Sequence, residues 1–442
     1  MRDEHVIVVD LGFGDAGKGT IVDWLCRNGE RSAVIRFNGG AQAAHNVVTD
    51  DGRHHTFAQF GAGSFVPSVP THLAHTVLVD PFALVGEAAH LASVGVGDVF
   101  DRLTVDERAL LTTPWHRAAN QARELARGTA RHGSCGMGIG ETARYALAHP
   151  DDAPTVGDCR RPQVLRRKLR ALAARVGTTD WDGPTAEPTD PKPTPVDVPN
   201  VDDVMEVLAL FADATRIVDG GHIGGLLDRG PVVFEGAQGV LLDEWAGFHP
   251  YTTWSTTTTA NALSILAEHG HRALRLGVLR TYTTRHGAGP LPTEDATLAA
   301  SLPEPHNGTG LWQGAFRVGH FDAVAHRYAL DATGGVDALA VTHLDVVTGN
   351  AALDAPRLGI CDEYRAPNGA VWTPTPPESH DLDRQARLTE TLSAVTPVLH
   401  DAPSSTDAWL AEVSGRLDTP IAVTSHGPTA SAKRGTAAAF RR

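Results

Sequence analysis

The chain has 442 residues, with 38 Lys and Arg against 52 Asp and Glu, a formal charge of −14. An acidic chain without a basic run or an aromatic–basic stripe argues against a nucleic-acid binder, and no apolar stretch forms a signal-peptide core or reaches membrane-spanning length. Four scattered cysteines (Cys26, Cys135, Cys159, Cys361) make no C-x-x-C pair, and the 22 histidines show no metal-ligand spacing, so the expectation is a reduced, cytoplasmic protein that touches neither membrane nor nucleic acid.

The first apolar run, Val6–Leu11, reads as a buried strand, with a helix at Thr20–Arg27. Further strand patterns lie at Ala33–Phe37, His75–Val79, Val232–Phe234, Leu274–Leu279, Ala338–Thr342 and Ile421–Thr424. Helical patterns lie at Thr113–Arg127, Arg161–Val176, Val204–Leu227, Thr258–Glu268 and Asp383–Ala394. Short apolar strands alternating with helices predict an α/β fold with a mostly parallel central sheet, helices on both faces and inserted loops. The length suits two to three domains or one large one. Because strand patterns flank every loop motif, the chain is read as a single P-loop-NTPase-like domain over 1–442. Residues 178–200, dense in Pro, Thr and Asp, read as an exposed linker or surface insert within it.

Ligands of such sheets sit beyond the carboxyl ends of the strands, and the loop after Val6–Leu11 falls there. It satisfies G-x-x-x-x-G-K from Gly12 to Lys18, but the hydroxyl a Walker loop needs directly after its lysine arrives one place late, at Thr20. An acid, Asp15, lies inside the loop. Glycines 12, 14, 17 and 19 let backbone N–H groups turn toward an anion, and Lys18 adds charge. Asp15 beside phosphates would be repelled unless a metal bridges it to them or it takes a proton from a substrate; the other reading is a plain glycine-rich turn. RFNGGAQAAHNVV, Arg36–Val48, offers His45 as an acid or phosphate contact, or as a loop histidine without a role. HGSCGMGIGET, His132–Thr142, suits a second anion nest or a flexible loop. In FEGAQG, Phe234–Gly239, Gln238 can read a carbonyl or base edge, and hydroxyls follow from Thr252 to Thr259. Thr283, Thr284 and Arg285 follow the strand Leu274–Leu279. THLD, Thr342–Asp345, ends a strand with a carboxylate that can accept from guanine N1–H and its 2-amino group. SHGP, Ser425–Pro428, closes the last strand.

Together these motifs resemble the adenylosuccinate synthetase family. Its GDEGKGK loop resembles Gly14–Thr20, its GG-x-NAGHT resembles Gly39–Asn46, its FEGAQG-x-LLD matches Phe234–Asp243, and its YTTR-x-G-x-GP-x-PTE matches Tyr282–Glu294; TKLD and STGP resemble Thr342–Asp345 and Ser425–Pro428. The resemblance implies a GTP-dependent ligase that joins L-aspartate to the 6-oxo carbon of a purine nucleotide, IMP first, through a 6-phosphoryl intermediate. It implies Asp15, His45 and Gln238 as catalytic residues, with Mg²⁺ at Asp15 and Ala44. It implies GTP at Gly14, Gly17, Lys18, Gly19, Thr342, Asp345, Ser425 and Gly427. The acceptor nucleotide falls to Asn38, Ser134, Cys135, Gln238 and Thr253, aspartate to Thr309 and Arg317, and a homodimer is implied.

The chain departs from the family at Ala16 and Thr20 in the loop, at His343 for the lysine of TKLD, and at Ser134, Cys135 and Met137 for two threonines and an arginine. No arginine stands at the spacing of the family's cross-dimer arginine; Arg144, Arg160 and Arg161 are nearby. Of the family's aspartate loop, His306–Asp322 keeps only Thr309, Gly310, Arg317 and Gly319 as equivalents. The wording of GSCGMGIGET and WQG-x-FR is closer to phage enzymes of this family that act on dGMP, so dGMP or a modified purine nucleotide is the alternative acceptor. A regulatory GTP-binding protein and an inactive paralogue are readings of another class. The missing hydroxyl after Lys18 opposes the first, and retention of Asp15, Lys18, His45 and Gln238 opposes the second.

Overall fold

The computed structural model describes residues 4–182, 198–302, 304, 306–349 and 357–436. Its centre is a ten-stranded sheet. In chain order the strands are β1 (His5–Asp10), β2 (Ala33–Arg36), β3 (Thr71–Leu73), β4 (Leu103–Asp106), β5 (Arg216–Val218), β6 (Val232–Gly239), β7 (Ala273–Arg280), β8 (Ala338–Thr342), β9 (Ile421–Ser425) and β10 (Lys433–Gly435). Their order across the sheet is β10-β9-β8-β7-β1-β6-β2-β3-β4-β5. Every neighbouring pair is parallel except β9–β10.

Side chains of a strand point alternately to the two faces, and β1 shows this directly. Val6 and Val8 join one core, Ile7 and Val9 the other. The first core is closed by the helices Lys18–Arg27, Pro114–Ala126, Pro162–Arg175 and Val201–Ala214, through Ile21, Trp115, Leu169 and Phe211. The second is closed by His222–Arg229, Ala260–Glu268, Ala323–Ala332 and Thr406–Leu417, through Leu226, Ile265, Tyr328 and Trp409. Burial on both faces is why these strands read as unbroken apolar runs.

The structure corrects several expectations. The strand expected at His75–Val79 is Thr71–Leu73 in the sheet, and only Leu78–Val79 pairs, with Leu110–Leu111. The helix expected over Val204–Leu227 is two helices, Val201–Ala214 and His222–Arg229, separated by β5. Asp219, Gly220 and Gly221 break it. Strands β4, β5 and β10 had no clear sequence signal because they are short. Of the expected insert 178–200, residues 183–197 lie outside the described residues. In its described first part Thr178 and Asp180 are exposed, whereas Trp181 is fully buried and its Nε1 donates to Glu141 at 2.7 Å.

Small antiparallel pieces flank the carboxyl edge of the sheet. The hairpin His45–Val48/His54–Phe57 carries His45, and Thr283–His286 pairs with Phe316–Gly319. Among the described residues no helix is long and apolar enough to cross a membrane.

Candidate functional site

Because β1, β2 and β6–β9 run parallel, the segments that follow them emerge on one edge of the sheet. They surround a cavity of about 1490 Å³. Of the residues expected in a site, Gly14, Asp15, Gly17, Lys18, Gly19, Ala44, His45, Ser134, Cys135, Gln238, Thr253, Thr342, Asp345, Ser425 and Gly427 all line it.

The loop after β1 is organised by an acid that sequence reading passed over. Asp10, the last residue of β1, accepts from the backbone N–H of Gly12 at 2.8 Å and of Ala16 at 2.9 Å, and pairs with Lys18 Nζ at 3.1 Å. Gly14 (φ 100°), Asp15 (φ 59°) and Gly17 (φ 90°) take left-handed conformations, and Gly17 caps the helix Lys18–Arg27. The helix N-terminus and its free N–H groups thus face the cavity, the arrangement that receives phosphate. Thr20, the late hydroxyl, donates to the Pro428 carbonyl at 2.7 Å.

Asp15 is held by cations. Its carbonyl accepts from Arg280 Nε at 2.5 Å, and its Oδ2 lies 3.3 Å from His286 Nε2. Burial alone would raise its pKa, but the hydrogen bond and charge of His286, with Arg280 and Lys18, hold it below the ordinary carboxylate value. Asp15 is therefore ionised at neutral pH and able to accept a proton. The same contact raises the pKa of His286 against the opposing effect of burial.

His45 is oriented by Glu235, whose Oε1 is 2.5 Å from His45 Nδ1 and whose Oε2 accepts from Ala62 N at 2.9 Å. Burial pushes the imidazole down to about 4, against the pull of Glu235, so it is neutral near pH 7. Burial opposes ionisation of Glu235, but Arg36 and His45 hold its pKa below the ordinary value. With Nδ1–H directed to Glu235, the buried Nε2 has no partner among the described residues.

Gln238 owes its place to a bulge. Val8 pairs with Glu235 and Asp10 with Gly239, so one residue of β1 faces three of β6. Gln238 then takes φ 56°, and its buried Oε1 has no partner among the described residues. Asn38 is fully buried: its Nδ2 donates to the Ala237 carbonyl at 3.0 Å and its Oδ1 accepts from Ala237 N at 2.7 Å. It braces the bulge rather than lining the cavity. Gln42 lines it instead, with both amide atoms buried and unpartnered. The signal for it was available: an amide three residues before His45 in a run of small residues.

Thr309 and Arg317 do not line the cavity. Arg317 pairs with Glu294 and donates to the carbonyls of Gly287 and Gly289 at 3.0 and 2.8 Å. Its guanidinium is fully engaged in holding the strand pair. Asn307, Gln313 and His286 line that side. Trp254, which lines the cavity with Ser134 and Cys135, lies under Arg144, 5.3 Å from ring centroid to guanidinium.

Among the described residues no group of three or more His, Cys, Asp or Glu could hold a metal ion. The donors present, one carboxylate at Asp15 and main-chain oxygens such as that of Ala44, fit a Mg²⁺ that arrives on substrate phosphates rather than one caged by protein.

A family model described as adenylosuccinate synthetase matches residues 7–433. The chain is 31% identical over 435 residues to the adenylosuccinate synthetase of Neisseria meningitidis serogroup C, covering 96% of each, and 31% identical over 436 residues to that of Haemophilus influenzae at the same coverage. Among solved structures it resembles a fully ligated adenylosuccinate synthetase from Plasmodium falciparum (TM-score 0.80, 21% identity, 98% of this chain and 100% of that one). It also resembles the succinoaminodeoxyadenylate synthetase of cyanophage S-2L bound to dGMP and dATP (TM-score 0.58, 17% identity, 99% and 96%). At those identities the structures bear on the fold alone.

Proposed function

The chain belongs to the adenylosuccinate synthetase family, and from that premise we propose that it is a GTP-dependent carbon–nitrogen ligase that condenses L-aspartate with the 6-oxo carbon of a purine nucleotide, IMP. The observation that carries the reading is an ionised carboxylate, Asp15, inside a phosphate-type loop, sharing one cavity with two side chains whose buried polar atoms lack protein partners, His45 and Gln238.

An amide-type oxygen is a poor leaving group and must be activated first. Asp15 takes the N1 proton of the base. The resulting 6-oxyanion attacks the γ-phosphorus of GTP as the bond to GDP breaks. His45 Nε2 faces the transferring phosphoryl group, and the negative charge there favours its protonated form. Gln238 aligns the 6-oxygen. The amine of aspartate then adds at C6, and phosphate leaves with the oxygen. Lys18 and the helix N-terminus receive the phosphates of GTP. Asp345 accepts from guanine N1–H and the 2-amino group, with Ser425 and Gly427 beside it. Ser134, Cys135 and Thr253 take the phosphate and sugar of the acceptor. Mg²⁺, when bound at Asp15 and the Ala44 carbonyl, supplies charge neutralisation at the phosphates. Aspartate as the donor rests on the family alone.

A second acceptor, dGMP or a modified purine nucleotide, rests on the wording of GSCGMGIGET, whose Ser134 and Cys135 line the cavity, and of WQG-x-FR. Phosphate release from GTP with Mg²⁺ and aspartate, measured across IMP, dIMP, GMP and dGMP with mass spectrometry of the products, separates the readings. A succinyl adduct with IMP alone supports the first, and one with dGMP alone supports the second. GTP hydrolysis independent of aspartate and acceptor would overturn both in favour of a GTPase switch.

A further inference from the structure

The turn between β9 and β10 is built around a buried lysine. β9 ends at Ser425 and β10 begins at Lys433, and these two residues are paired antiparallel. Lys433 is 5% exposed. An ammonium offers three donors and must find acceptors when removed from water. It finds three consecutive carbonyls of the turn, those of Gly427 at 3.1 Å, Pro428 at 3.1 Å and Thr429 at 2.7 Å. No carboxylate forms an ion pair with it among the described residues.

The same turn is tied to the phosphate loop. Lys18 and Gly19 line the cavity, and the next residue, Thr20, donates to the Pro428 carbonyl at 2.7 Å. The far end is held by Ser431, whose hydroxyl donates to Asp50 at 2.5 Å. Thr20 lines the same cavity, so the residue that grips the turn stands directly beside the residues that face phosphate.

We propose that Lys433 and Thr20 are positioning residues for the base of the triphosphate donor, fixing the Ser425–Thr429 turn at a set distance from the phosphate loop across the cavity that Thr20 and Pro428 also line. This rests on the reading that Asp345, Ser425 and Gly427 receive guanine. Without Lys433 three carbonyls lose their common donor and the turn relaxes; without the Thr20 hydroxyl the turn separates from the loop. In either case base and phosphates no longer fit together.

Steady-state kinetics with GTP varied at saturating acceptor and amine tests this. K433M and T20V are expected to raise KM for GTP about tenfold, with kcat within about twofold of wild type and acceptor KM unchanged. K433R, which keeps the donors, recovers most of the loss. Burial lowers the Lys433 pKa to about 8. The charged or titratable groups facing it are Asp23, Asp50, Asp345 and His343. KM for GTP therefore rises in the wild type as pH passes about 8 and stays flat in K433R. If K433M does not fold, T20V carries the test, because its hydroxyl is at the surface. An unchanged KM for GTP in K433M and T20V, beside a raised one in D345N, would overturn the proposal alone. So would an equal rise in KM for GTP and acceptor, which marks general damage. An unchanged KM for GTP in D345N would overturn the guanine reading instead.

Discussion

Asp15 is an L residue at φ 59°, a backbone conformation with few other occupants than glycine. That strain is sustained because Asp10 fixes the loop on one side and Arg280 holds the Asp15 carbonyl on the other. The Asp15→Asn variant keeps the shape and loses the base. Turnover is expected to fall by about 10²–10⁴ while GTP binding, followed by fluorescence of a labelled nucleotide, stays intact. Normal turnover would remove Asp15 from the chemistry. His45 makes a second prediction at this scale. Burial holds it near 4, and a phosphoryl group at Nε2 favours the protonated form. GTP binding near pH 7 should therefore take up a proton, read by calorimetry in two buffers of different ionisation enthalpy. A binding heat independent of the buffer would mean that His45 stays neutral in the complex. Most of these residues were legible from sequence because each stands in a short motif of glycines and polar groups directly after an apolar strand. Asp10, Glu235 and His286 were not, because their roles come from partners 8, 190 and 271 residues away.

The bulge in β6 shows how backbone shape, rather than side chain, builds part of the site. A Cβ on Gly239 would fall well inside contact distance of the Gly12 carbonyl oxygen and the Gly14 nitrogen. β6 and the phosphate loop touch backbone to backbone, and only glycine permits it. Gly239→Ala should displace the loop, lowering kcat/KM for GTP by more than about a hundredfold, with a smaller loss in melting temperature; wild-type kinetics would show that the loop has room to yield. The elements themselves were read well where strands are long and fully buried, as in β1, β6, β7 and β8. Errors came where local pattern is ambiguous. Three-residue strands such as β3 and β5 carry too few side chains for a period to be seen. The Pro- and Thr-rich stretch looked like linker throughout, yet Trp181 at its start fills a pocket against Tyr145, His116 and Glu141. Arg317 was placed by motif spacing alone, and the pairing of Arg285 opposite Arg317 diverts both guanidinium groups to backbone carbonyls and Glu294.

Across the whole molecule, buried neutral histidines set the response to acid. Burial pushes His72 and His116 down to about 3 and, against Glu235, His45 to about 4. In the unfolded chain the same imidazoles titrate near 6.5. The unfolded state therefore binds more protons below that pH, so this contribution to stability is complete above 6.5 and is lost as pH falls toward 4 and 3. Melting temperature should be flat between pH 7 and 8 and decline below about 6.5, and His116→Gln should make the decline shallower by about one proton equivalent. An identical slope in the variant would assign the acid response elsewhere. The hydroxyl of Thr20 reaches Pro428 across 408 positions of sequence, and β9 and β10 follow the other eight strands of the sheet in chain order. Asp10 organises the phosphate loop through partners at most eight residues away, yet the Ser425–Thr429 turn exists only once β9 has docked beside β8. On the proposed reading, competence to hold the nucleotide waits on β9 and β10, and tight nucleotide binding doubles as a report that this edge of the sheet has closed.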